Sequence, residues 1–135
     1  LKQNNKYMVL DVAVRDSAEF RSALLTADVL IIPTQPSQTD IEVLPFVLRL
    51  VNTAKQVNKN LKTFVVLNKA PTNNKSTEID AALELLQQVK SVKTLNTILR
   101  DRKQFRDAMI EGKSVLEMGS SKAKDELNEF LVEIL

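Results

Sequence analysis

Short apolar runs alternate with amphipathic stretches along this chain, and the alternation predicts its architecture. The runs are Tyr7-Met8-Val9-Leu10, Val29-Leu30-Ile31-Ile32, Phe64-Val65-Val66-Leu67 and the weaker Leu95-Asn96-Thr97-Ile98-Leu99. The first three are continuous, as strands buried on both faces are, and such strands belong to parallel sheets. Helices are expected between them. Asp16, with Glu19 completing a capping box, is expected to open a helix bearing Phe20, Leu24 and Ala27. Thr39-Asp40 opens a segment to about Val57, with Val43, Val47, Leu50, Ala54 and Val57 on one apolar face. Pro45 predicts a kink or a helix start within it. Thr77 with Asp80 forms a second box, ahead of Ile79, Ala82, Leu83, Leu86 and Val89. Asp101 with Gln104 suggests a third, ahead of Phe105, Ala108 and Met109, and Gly112 ends that helix. Ser120 or Ser121 caps a last helix with Ala123, Leu127, Phe130, Leu131 and Ile134 inward. The order βαβαβαβαα makes residues 1–135 a single α/β domain, a mostly parallel sheet flanked by helices. Ligands of such sheets bind beyond the carboxyl ends of the strands. The segments that matter are therefore 11–17, 33–40, 68–73 and 100–102.

Composition narrows the chemistry. The 135 residues are 44% hydrophobic and 27% charged, ordinary values for one globular domain. There is no cysteine and no histidine, which excludes a disulfide framework, a thiolate zinc site and a serine–histidine triad within the chain. No apolar run approaches the ~20 residues of a membrane span, and the opening residues lack the apolar region of a signal peptide. The expected location is cytoplasmic, with no membrane partner. The chain does not begin with methionine, so its protein is expected to start earlier. A net charge of +2 does not by itself call for nucleic acid, and 4% aromatic content argues against stacking on single strands. The cations are nevertheless unevenly placed. Between Val43 and Thr77 stand Arg49, Lys55, Lys59, Lys62, Lys69 and Lys75 with no acid, and Arg100, Arg102, Lys103 and Arg106 form a second cluster, interleaved with acids.

Asp11 closes the first run. A carboxylate there either holds a magnesium-bound water beside nucleotide phosphates or serves a turn. Asn68 follows the third run, ahead of Pro71, where asparagine also suits a turn. These loops, in order, carry a resemblance. The stretch Leu10-Asp11-Val12-Ala13-Val14-Arg15-Asp16-Ser17, then Ala27-Asp28-Val29-Leu30-Ile31-Ile32-Pro33-Thr34-Gln35-Pro36, then Val66-Leu67-Asn68-Lys69-Ala70-Pro71-Thr72-Asn73, then Ile98-Leu99-Arg100-Asp101-Arg102 and Glu111-Gly112-Lys113-Ser114, resembles ParA/MinD-type partition ATPases over essentially the whole chain.

That resemblance implies a P-loop NTPase type of fold that binds ATP or ADP with Mg2+. It implies Asp11 as the Walker B-like catalytic residue and water-mediated magnesium holder, and Asn68, Pro71 and Arg100 at the nucleotide. It implies a nucleotide-dependent homodimer acting in plasmid or chromosome partition, associated with the nucleoid. Non-specific DNA would be held through Arg100, Arg102, Lys103 and Arg106, and a ParB-like centromere-binding protein would be the partner. The family's glycine-rich lysine loop and first strand belong before Leu1, so the chain as given is not expected to hydrolyse ATP. That first strand lies between the strand ending at Asp11 and the strand ending at Ile32, which implies a slot there. The resemblance also calls for glycine at Ala13 or Val14. A β-branched valine restricts a close backbone approach to a phosphate, and this favours the alternative of a non-catalytic interaction module that keeps the fold.

Overall fold

The computed structural model describes residues 6–135. Three of the apolar runs become strands: β1 (Val29–Thr34), β2 (Lys62–Ala70) and β3 (Lys93–Arg100). They form one all-parallel sheet in the order β1-β2-β3, with Ile32 opposite Val65 and Ala70 opposite Arg100. Helices flank it: α1 (Ala18–Thr26), α2 (Gln38–Glu42), α3 (Leu44–Lys55), α4 (Glu78–Gln87), α5 (Lys103–Ile110) and α6 (Lys122–Ile134), with a 3-10 turn at Val115–Glu117. The continuous burial of Val65, Val66 and Leu67 follows from the central place of β2, covered on both faces.

The run Tyr7–Leu10 departs from expectation. It forms no strand and does not hydrogen-bond to β1; Tyr7 is 60% and Val9 90% exposed. An apolar run becomes a strand only where a neighbour supplies ladder partners, and among the described residues none does. The outer edge of β1 is likewise unpaired among the described residues, and Pro33, which has no N–H to offer, suits such an edge. Asp11 therefore lies exposed in irregular chain rather than at a strand end.

Local chemistry moves several helix starts. Ser17, not Asp16, caps α1: its hydroxyl accepts from the Phe20 N–H at 3.2 Å, while Asp16 pairs with Arg21 at 2.7 Å. Ser37 caps α2, and the chain restarts as α3 with Pro45 in its first turn, where its missing N–H costs nothing. The buried stripe of α3 is accordingly Leu44, Val47, Leu48, Val51 and Ala54; Val43 and Val57 are exposed. Thr77 and Arg102 precede α4 and α5 without a side-chain cap bond, so neither expected box forms. The capping box that does form is Ser114 with Glu117. Gly112, at φ +65°, ends α5 in the left-handed region that favours glycine, and Ser121 caps α6.

The main core joins Phe20 and Leu24 of α1, the α3 stripe, the sheet, and Ala82 and Leu86 of α4. Asn58 fastens α1 to it, donating to the carbonyls of Leu24 at 3.0 Å and Ala27 at 2.8 Å. A smaller cluster of Ala108, Val115 and Ala123 holds α5 to α6; Met109 faces out.

The outer edge of β3 is guarded by α6. Glu133 accepts from the N–H groups of Asn96 at 2.6 Å and Thr97 at 2.9 Å and from the Thr97 hydroxyl at 2.7 Å. Carboxylates thus take up strand donors that would otherwise template another chain. Burial pushes the Glu133 carboxyl up, but the N–H groups of Asn96 and Thr97, the Thr97 hydroxyl and Lys93 outweigh it and hold the group below its ordinary range. A carboxyl with a depressed folded pKa contributes stability that is full above its unfolded value of about 4.3 and drains as pH falls through the folded value. Urea unfolding across that acid range is expected to show Glu133→Gln less stable by about 1–2 kcal/mol at neutral pH, with the gap closing in acid. A gap that stays constant through the acid limb would assign the pH dependence to other carboxylates.

Candidate functional site

The carboxyl ends of β2 and β3 build the site. The β2–β3 register shifts between Val65 and Leu67 and again between Leu67 and Ala70. Lys69 has φ +51°, a conformation that a residue with a Cβ adopts at some cost. Such bulges re-aim the chain at strand ends. Here the result is a buried Ala70 whose carbonyl accepts from the Asp101 N–H at 2.9 Å, tying the loop after β2 to the loop after β3. Between those loops and α4 lies a pocket of about 270 Å³, walled by Pro71, Ile79, Leu83 and Ile98, with Asn73, Asn74, Ser76, Asp80 and Arg100 at its polar positions. Asn73 shapes the loop, its side-chain oxygen accepting from the Lys75 N–H at 3.0 Å. Glu78 and Asp80 occupy the first turn of α4. Acids there oppose a phosphate at that helix end, and the lining mixes apolar walls with a larger share of polar groups.

A buried ion cluster backs the pocket. Glu126 of α6 is 7% exposed. It accepts from Arg102 Nε at 2.9 Å and Nη2 at 2.6 Å, from Arg100 Nη1 at 3.4 Å, and from the Arg100 backbone N–H at 3.2 Å. Lys103 pairs with Asp107 at 3.6 Å and Arg106 with Asp101 at 2.6 Å. All four cations of the second basic cluster thus have an acidic partner.

Of the residues singled out from sequence, Pro71 and Arg100 meet in the pocket. Asn68 is half-buried in β2 and does not line it. Asp11 stands apart, exposed and off any strand end. Among the described residues no group of three or more acids gathers as a metal site. The only two glycines of the chain are Gly112 and Gly119. The run Gly112-Lys113-Ser114 closes α5, and Lys113 pairs with Glu111 at 3.0 Å; it lies at the carboxyl end of a helix, the wrong end for phosphate. Glu126 escaped sequence reading, although an acid three residues after Ala123 and four before Phe130, on the apolar stripe of α6, was a signal.

Among the described residues no helix is long and apolar enough to cross a membrane. No protein-family model matches the chain. The chain is similar to the maintenance of carboxysome distribution protein A of Halothiobacillus neapolitanus, with 28% identity over 135 residues, 98% of this chain and 61% of the relative. It therefore spans about three-fifths of that curated relative's length.

Proposed function

We propose that this chain is the base-binding part of a ParA-type positioning protein, which holds an adenine nucleotide at the carboxyl ends of β2 and β3. The observation that carries this reading is the pocket formed by Pro71, Ile98 and Arg100, at the place where parallel sheets bind ligands, in a chain similar end to end to a carboxysome distribution protein. In this reading Pro71, Ile79 and Leu83 clasp the ring, Asn73 offers it hydrogen bonds, and the Arg100 guanidinium lies against it or its phosphates. Asp11 would hold magnesium through water, and Asn68 would support the adenine side from β2. ATP hydrolysis, a homodimer and a ParB-like partner belong to the full-length protein. The cargo distributed is a plasmid, a chromosome or a cellular body. Equilibrium titration of the full-length protein with Mg–ATP tests the reading. Saturable binding that weakens in Arg100→Ala is expected; binding that is unaffected by this change would move the site elsewhere.

DNA binding is part of the same proposal, and the ion pairs sort its residues. Lys103 and Arg106 remain 77% and 59% exposed, whereas Arg100 and Arg102 are held by the buried Glu126. Replacing both Lys103 and Arg106 by alanine is expected to weaken binding to any duplex sequence and to reduce the salt slope by about 2, near 0.9 per phosphate contact. An unchanged slope in fluorescence titrations at several salt concentrations would exclude this surface.

One observation favours a second reading, a non-catalytic interaction module. Asp11 and Val14 lie exposed in an irregular, bent stretch that pairs with no strand among the described residues.

A further inference from the structure

We infer that Glu126 is a positioning residue for the pocket, fixing Arg100 at its wall while Arg102 serves as the counterion that makes the buried carboxylate tolerable. The inference rests on the nucleotide reading above. A carboxylate that is 7% exposed is costly unless paired and fully hydrogen-bonded. Glu126 meets that demand unevenly. Its short contacts, 2.6 and 2.9 Å, go to the Arg102 side chain. Its contact with the Arg100 guanidinium is long, 3.4 Å, yet it also accepts from the Arg100 backbone N–H at 3.2 Å.

The consequence is a division of labour. Arg102 is spent on Glu126. Arg100 is held by its backbone, and most of its guanidinium donors remain for the pocket that it lines. Two guanidinium groups share one carboxylate, and the positive charge left over is set against the Asp80 carboxylate of the same lining, so the pocket is near neutral and offers donors and acceptors to the polar edge of a ring. A purely structural role would not require this arrangement, because Glu133 already fastens α6 to β3 further along the strand.

Calorimetric titration of the full-length protein with Mg–ADP decides the matter, using Glu126→Gln, Arg100→Ala and their combination, with Glu133→Gln as control. Glu126→Gln is expected to weaken binding about tenfold, and the combined variant is expected to bind no worse than Arg100→Ala alone, the non-additivity of residues acting through one another. Glu133→Gln is expected to bind as the parent does. If Glu126→Gln does not fold, Glu126→Asp serves, retaining the charge but drawing Arg100 back, with the same non-additivity expected. Unchanged affinity in the folded Glu126 variant overturns the inference, as do losses that add in the combined variant. A parent protein that fails to bind Mg–ADP overturns the nucleotide reading itself, and this inference with it.

Discussion

Phe20→Ala is expected to destabilise the fold by about 4 kcal/mol, measured by urea unfolding, through lost transfer energy and the cavity left behind. Phe20 is 1% exposed, and with Leu24 it is one of two fully buried side chains that α1 presents to the core. The helix has few other attachments. Ser17 caps its start and Asn58 holds its last carbonyls, both local to the ends. Removing the ring leaves a hole in the core that α1 shares with the α3 stripe, and close-packed side chains close such a hole only in part. Met109→Ala is the natural contrast: that side chain is 80% exposed, and its loss is expected to stay within about 0.5 kcal/mol. A Phe20→Ala cost below about 1 kcal/mol would mean that α1 is not docked as described.

Glu126→Leu is expected to cost about 3 kcal/mol, for an electrostatic reason. It strips the carboxylate from two guanidinium groups and leaves them close together, half-sheltered from water, with the Arg100 N–H unsatisfied. Partial exposure of both arginines keeps the cost at the low end for a broken buried pair. Changing Arg102 to methionine alongside Glu126→Leu removes half of the stranded charge, and the double variant is expected to recover about half of the loss. If the double variant is no more stable than Glu126→Leu alone, stranded charge is not what the single change suffers from.

The parts of the fold that depend on local composition were legible in the sequence. Val29–Ile32 and Phe64–Leu67 are strands because continuous β-branched and aliphatic runs have few other homes. Gly112 ends its helix because the chain needs φ > 0 there. What was not legible depends on distant neighbours or on close competitors. Tyr7–Leu10 reads like the true strands, but strand formation is decided by what lies beside it. Asp16 and Ser17 are both good caps, and the outcome turned on Arg21, which draws Asp16 away. The α3 stripe moved by one position because Pro45 sets where the helix begins. For the candidate pocket, the rule that ligands meet strand ends pointed to segments 68–73 and 100–102, in which Pro71 and Arg100 lie; a nucleotide role for them came from the resemblance alone. Glu126 could not be assigned to them, since it reaches Arg100 and Arg102 from 26 and 24 residues away.

The central claim is that the loops after β2 and β3 hold an adenine nucleotide, and hydrogen exchange of the full-length protein with and without Mg–ATP tests it most directly. Backbone amides of Asn73–Ser76 and of Ile98–Arg100 line or frame the pocket and are expected to exchange more slowly when nucleotide is bound, together and with the same concentration dependence. Nucleotide that binds while exchange in both segments stays unchanged would contradict the claim and place the ligand elsewhere on the protein.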